Sequence, residues 1–418
     1  MRLVPILFLL VVLVPPCGHG SNNPQSIYAA EPNDAWNRIF RALFTRTVTH
    51  RVSDALRQSG PFVRLRGPGM DRLSLRISKE RFSRTELGDR AIEPLYPTFF
   101  TVDGVLQVLS EPRFSDLTAA LREAIDESRT RSPVERALMQ ADVWAAYDIL
   151  YLRRVNGTQL SERRAKLLTL LRQFIHKLAL TTDEIVSLKN NYLLAVSGSK
   201  LPNLFSEETG WLEIEFISRR LHDDAASYRR AARVFVKPRT PPPDPAQFVE
   251  SLKNNQHHDQ IEAVALVVQN LLVDTSGRVV TSPLFTDVQF RFFKNDPKTG
   301  ATTAEPQQFE LSRRKLLTDP ASGGLVEFSA TSPAYLSTAG NDYEFATPVQ
   351  EAGAPILVPL RTRCRQCHGS SLTHLMTYSV HEFPSMPVVR ILKDQGHALY
   401  VAQRKSERED FKSLFDGR

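Results

Sequence analysis

Residues 361–371 read RTRCRQCHGSS and set Cys364, Cys367 and His368 in the spacing C-x-x-C-H. Two thiols two positions apart can each bond one vinyl group of a porphyrin, and the adjoining imidazole then reaches the iron as an axial ligand. Random placement of three Cys and ten His in 418 residues would give about 0.0005 such motifs. The spacing therefore points to a covalently held haem and to redox chemistry. Two other chemistries stay open. Zinc could take Cys364, Cys367 and His368 with one of His374, His381 or His397 closing a tetrahedral site, although no other Cys follows the leader to form a second C-x-x-C. A local redox disulfide would need a strand before the motif and a helix after it.

The start of the chain bears on the same question. Arg2 supplies a positive charge, residues 3–14 are apolar, and Pro15, Pro16, Cys17, Gly18, His19 and Gly20 form a small, helix-breaking exit. This is the pattern of a secretory signal peptide over residues 1–20. Haem is attached covalently outside the cytoplasm, so an export signal and a C-x-x-C-H in one chain reinforce each other, and the expected location is periplasmic or extracellular. Cys17 would leave with the leader. The alternative, an acylated Cys17 serving as a lipid anchor, is opposed by Pro16 directly before it. The apolar run falls short of the ~20 residues that span a bilayer, and no later stretch is long and apolar enough, so no transmembrane segment is expected after signal removal. Only two cysteines then remain, and stability must come from packed cores rather than a disulfide framework.

A hydrophobic fraction of 42% and a charged fraction of 24% are those of an ordinary globular protein. The net charge of +7, from 53 basic and 46 acidic residues, is a mild bias. With no basic patch interleaved with aromatics, nucleic acid is not an expected partner. Arg361, Arg363 and Arg365 beside the motif could pair with haem propionates or steer an acidic redox partner, or could be plain surface charges. The pair His257-His258 lies in the polar stretch NNQHHDQ and reads as a loop. There is no Gly-rich phosphate loop, no G-x-S-x-G and no H-E-x-x-H.

The elements that must position the motif change character along the chain. Apolar residues at three-to-four spacing predict helices over 36–56, 114–128, about 133–154, 160–180 and 182–194. The third opens with Ser132-Pro133 and Glu135, a start signal, and is apolar almost all round, which argues for a central, buried helix with Met139, Trp144 and Tyr147 as core residues. The fifth would be capped by Thr182 or Asp183. Residues 62–77, with strand-like alternation in RLSLRI, read as irregular structure or a small hairpin packed on the helices. The segment KPRTPPPD, 237–244, reads as a stiff boundary. Beyond it, two apolar, β-branched runs flank Asp274-Thr275-Ser276-Gly277 as in a β-hairpin, and strands are also expected over 287–293, 309–316 and 325–330. The resulting expectation is an α+β multidomain chain: a mainly helical domain over 21–236, a Pro-rich linker over 237–259, a β-rich domain over 260–346 and a small haem-binding module over 347–418.

The motif resembles that of c-type cytochromes, and the likeness covers the motif and its surroundings, under a fifth of the chain. It implies a cytochrome c-like module with one haem c tethered by Cys364 and Cys367, His368 as proximal iron ligand, and a redox protein or a small-molecule electron donor or acceptor as partner. Met386, between Pro384 and Pro387, resembles the Pro-flanked distal Met of small cytochromes, although it stands only 18 positions after His368, a shorter interval than theirs. Met376, His374, His381 and His397 are further candidates for the sixth position. A filled site suits electron transfer, and an open one suits a haem peroxidase or oxidase assisted by Arg361, Arg363 or His374. The competing class is an exported binding or scaffold protein with a Cys/His zinc site or a local disulfide.

Overall fold

The computed structural model describes residues 27–44, 46–48, 62–64, 74–76, 90–92, 108–152, 155–198, 201–215, 230–252, 260–295, 302–327, 335–336, 356–357, 390–391 and 395–416. Helices, a seven-stranded antiparallel sheet and three two-stranded antiparallel pairs make an α+β mixture of these residues. The helices are α1 Ala35–Phe44, α2 Arg113–Glu127, α3 Pro133–Leu152, α4 Thr158–Leu178, α5 Thr182–Ser187, α6 Asn191–Gly198, α7 Pro245–Leu252, α8 Arg313–Thr318, α9 Gly396–Ser406 and α10 Glu409–Lys412. The sheet strands are β1 Leu212–Glu215, β2 Arg230–Pro238, β3 Ile261–Val273, β4 Val279–Asn295, β5 Thr302–Leu311, β6 Leu325–Glu327 and β7 Arg390–Ile391. Their order is β6-β5-β4-β3-β2-β1-β7, antiparallel throughout.

The apolar runs around Asp274 form the expected hairpin, β3 and β4, in which Val267 faces Val288. Asp274 builds the turn itself. One carboxylate oxygen accepts the backbone N–H of Ser276 and Arg278 at 3.0 and 2.8 Å, and the other accepts the Thr182 hydroxyl at 2.6 Å and the Arg278 guanidinium at 2.9 Å. Gly277 follows at φ +82°, the backbone region that glycine adopts without strain. The alternation of β2, β3 and β4 sends Phe235, Ala265, Val267, Val288 and Phe290 to one face, where they join the helices in a common hydrophobic core. Phe248, Val249 and Leu252 of α7 pack with Ile214, Val236 and Phe293 in a second cluster.

Helix α3 is the central element, buried from Ala137 to Leu150 and packed against α4 and β3. Its start is as read: Ser132 and Glu135 exchange hydrogen bonds across the first turn. Three polar side chains break its apolar surface, and each reaches a different part of the chain. Gln140 donates to the carbonyl of Val273 and accepts its N–H, both at 2.9 Å, which completes the end of β3. Asp142 takes a bidentate pair from Arg313 at 2.7 and 2.5 Å and the Tyr28 hydroxyl at 2.5 Å. Asp148 pairs with Lys405.

Several expectations are corrected. The first helix ends at Phe44 rather than at 56, and Arg46–Val48 pairs as a strand with Arg90–Ile92, in keeping with the β-branched Thr-Val-Thr that follows Phe44. The segment 182–194 is two helices: Leu188 turns extended at ψ 140°, and Asn190 restarts the chain by accepting the N–H of Leu193. The cap of α5 is Thr181, not Thr182 or Asp183, and it forms a full capping box with Glu184. The strand expected over 309–316 begins earlier, at Thr302, and stops at Leu311, where Ser312 caps α8. Lys237 and Pro238 end a strand, Asp244 caps α7, and residues from either side of this Pro-rich stretch meet in the second cluster. Phe62–Arg64 and Ser74–Arg76 pair antiparallel, which favours the hairpin over irregular structure at these residues. Among the described residues no helix is long and apolar enough to cross a membrane.

Candidate functional site

Cys364, Cys367, His368 and Met386 lie outside the described residues, as do His374, Met376, His381, the three arginines beside the motif and His257-His258. Met139 is a wholly buried core residue of α3. His397 is buried in the first turn of α9 with its ring stacked on Tyr400. Among the described residues no group of three or more His, Cys, Asp or Glu could hold a metal ion.

The described residues do form a cleft of about 480 Å³, bounded by α5, α6, the segment 204–207, strands β2 to β4 and Gln395. Its floor is an ion pair. Arg233 gives Nε and Nη2 to the two carboxylate oxygens of Glu213 at 2.8 and 2.6 Å, and both side chains are more than nine-tenths buried. The guanidinium carbon sits 4.7 Å from the Phe205 ring centre and 5.5 Å from that of Phe235. Charge and quadrupole are thus both satisfied by local partners. Nη1 of Arg233 donates to Gln269 Oε1 at 3.3 Å, and Gln269 in turn donates to the Ser282 carbonyl at 2.7 Å and to Gln395 Oε1 at 3.3 Å. Gln395 holds φ at +60°, in the left-handed region that a side chain disfavours. Trp211 and Phe285 add apolar rings to the lining, in which Val186 and Leu193 are exposed.

Charge is also buried on the opposite face of the sheet. Asp287 lies opposite Glu310, and Gln289 opposite Gln308, in the register of β4 and β5. Gln289 and Gln308 donate to the two Asp287 oxygens at 2.7 and 3.3 Å. Burial pushes the carboxyl up to about 6, against the pull of these bonds and of Arg230 and Arg291. Asp274 moves the other way. Burial raises its carboxyl, but the bonds from Thr182, Arg278 and Ser276 outweigh that and hold it below the usual carboxylate range.

The cleft was legible in part. An arginine inside the apolar run RAARVFV, two residues from Phe235 and so on its face, is the kind of inward charge that needs a partner, and Glu213 in WLEIE is an inward acid of the same kind. Periodicity alone does not join two strands separated by a long stretch of chain. No family model, no curated protein and no solved structure matches this chain.

Proposed function

We propose that the chain is an exported, mono-haem, c-type cytochrome-like protein that passes electrons through one covalently attached haem c to or from a redox protein or a small-molecule donor or acceptor. The observation that carries this reading is the C-x-x-C-H of Cys364, Cys367 and His368 in a chain that opens with an export-type leader. Cys364 and Cys367 would hold the porphyrin through thioether bonds, His368 would ligate the iron, and Met386 is the candidate for the opposite axial position. The donor set suits that group: two thiols at the required spacing, an adjoining imidazole, and no other cysteine beyond the leader to compete as a thiolate ligand or disulfide partner. Bound haem iron supplies one-electron redox chemistry. Arg361, Arg363 and Arg365 offer cations for its propionates or for an acidic partner.

The test is an absorption spectrum, oxidised and then dithionite-reduced, of the full chain exported in a host that attaches haem, followed by a haem stain after denaturing electrophoresis. A Soret band with sharp reduced α and β bands, and a stain that survives denaturation but is lost in Cys364→Ser/Cys367→Ser, is the expected result. A colourless protein overturns the reading and turns attention to a zinc assay. Carbon monoxide then separates carrier from enzyme: an unshifted reduced Soret band means a filled sixth site, and a shifted one means an open face suited to peroxidase or oxidase chemistry.

A further inference from the structure

We infer that the cleft over the Arg233–Glu213 pair is a binding site for a small, neutral, planar aromatic molecule that carries a carbonyl oxygen. Its volume of about 480 Å³ lies in the range of cavities that enclose small organic ligands. The rings of Phe205, Trp211, Phe235 and Phe285 line it beside at least as much polar surface, Ser206 and Thr281 among it, a mixed lining for a flat body that carries a polar group. Of the lining residues, Val186 is 66% exposed and Leu193 38%, two large apolar side chains left in water.

The floor selects the polar group. A guanidinium has five N–H donors, and among the described residues Arg233 uses one each from Nε, Nη1 and Nη2. Two N–H groups on a nine-tenths buried side chain lining the cleft thus have hydrogen-bonding capacity left, which an acceptor oxygen would use. The charge of Arg233 is already matched by both oxygens of Glu213, and Glu207 adds a further negative group to the lining. A carboxylate ligand would have to compete with Glu213 and face Glu207, whereas a neutral carbonyl meets neither cost. Gln395, whose backbone is held at φ +60°, sets its amide against Gln269 at the edge of this floor. Strain of this kind persists where the surrounding structure fixes it, and binding sites are such places.

The experiment is calorimetric titration of the full-length protein with coumarin, a neutral planar lactone, alongside coumarin-3-carboxylate and a quaternary benzylammonium salt. A saturable one-site isotherm with coumarin is expected, with the two charged probes at least about tenfold weaker. Ser206→Trp and Leu193→Trp, both at partly exposed positions of the lining, should weaken coumarin by at least about tenfold, while Leu152→Ser, which alters an exposed apolar site elsewhere, leaves it unchanged. Unsaturable binding, binding that survives both tryptophan variants, or tighter binding of either charged probe would each overturn the inference. Far-ultraviolet circular dichroism of the variants establishes that a loss is not a loss of fold.

Discussion

Lys405 and Asp148 meet at 2.7 Å with both side chains wholly out of solvent, joining α9 to the C-terminal part of α3. Asp410 approaches the same ammonium at 3.1 Å and is itself held by Arg408 at 2.9 Å, and the Trp144 ring lies 5.2 Å from the charge. Removing one member leaves a buried charge behind, which costs more than the pair gains. Lys405→Met is therefore expected to destabilise the fold by about 3–5 kcal/mol. Lys405→Met/Asp148→Leu should recover a large part of that loss, because the pair is then replaced by apolar side chains. Urea unfolding midpoints of the three proteins decide it, and equal losses in the single and double variants would contradict the prediction.

Asp287 gives the protein a stability that declines with rising pH. Its folded-state carboxyl is held up to about 6 by burial, whereas in the unfolded chain it titrates near the ordinary value of about 4. Between those values the folded state binds the proton more tightly. Its contribution is thus fully present below about pH 4 and is lost as pH rises through about 6. Unfolding free energy should fall by on the order of 1 kcal/mol from this group between pH 5 and 7.5. Asp287→Asn should remove that part of the slope, as measured by urea denaturation at the two pH values.

Asp274 acts in the opposite sense. Its carboxyl is held below the usual range by the hydrogen bonds it accepts in the β3–β4 turn and from Thr182. Its contribution is present above the unfolded value of about 4 and fades as pH falls below it. Asp274→Ala should cost about 2–3 kcal/mol at pH 7 through the donors it leaves unmatched. The penalty should shrink between pH 5 and 3, and an acid titration of unfolding free energy for both proteins tests this.

Asn191 and Gly323 lock α6 to the sheet. Asn191 donates to the carbonyls of Phe285 and Gly323 at 3.0 and 3.1 Å and accepts the Phe285 N–H at 2.7 Å. Gly323 has φ +66°, and a Cβ built there would lie 1.9 Å from the Asn191 carbonyl oxygen and 2.6 Å from the Ala195 nitrogen. Backbone atoms cannot give way as a side-chain end can. Gly323→Ala should cost more than about 3 kcal/mol, well above the effect of the same change at Gly157, where a Cβ meets nothing within 4 Å. Thermal unfolding of the two variants compares them directly.

Local signals carried the helices and the central hairpin. Period, caps and β-branched runs act within a few residues, and α2, α3, α4 and the Asp274 turn stand near where those signals put them. Boundaries differ from the periodic pattern where a short-range competitor acts, as with Asn190 restarting a helix or Ser312 stopping a strand. What joins the elements was not legible. Gln140, Asp142 and Asp148 stand out in the sequence as polar residues on an apolar helix, but their partners Val273, Arg313 and Lys405 lie 133, 171 and 257 positions away. Nothing in a single chain's periodicity selects among the many cations and carbonyls at such distances. The C-x-x-C-H motif is the reverse case: its five residues are chemically explicit in sequence, and they lie outside the described residues.

The C-terminal residues 395–416 are held by far more than chain continuity. Ala398, Val401, Phe411 and Leu414 sit in the core, the Tyr147 hydroxyl meets that of Ser413 at 2.8 Å, and the His176 ring meets the carbonyl of Leu414 at 2.6 Å. Strands β6 and β7 occupy opposite edges of the sheet, so the chain that leaves at Glu327 rejoins the same sheet at Arg390. A single backbone break between those two points would therefore yield two fragments that share one core and one sheet. Such fragments should purify as a single particle and separate only in denaturant, and separately made pieces should find each other and refold together, with the Lys405 ammonium seeking out Asp148 as the recognition point.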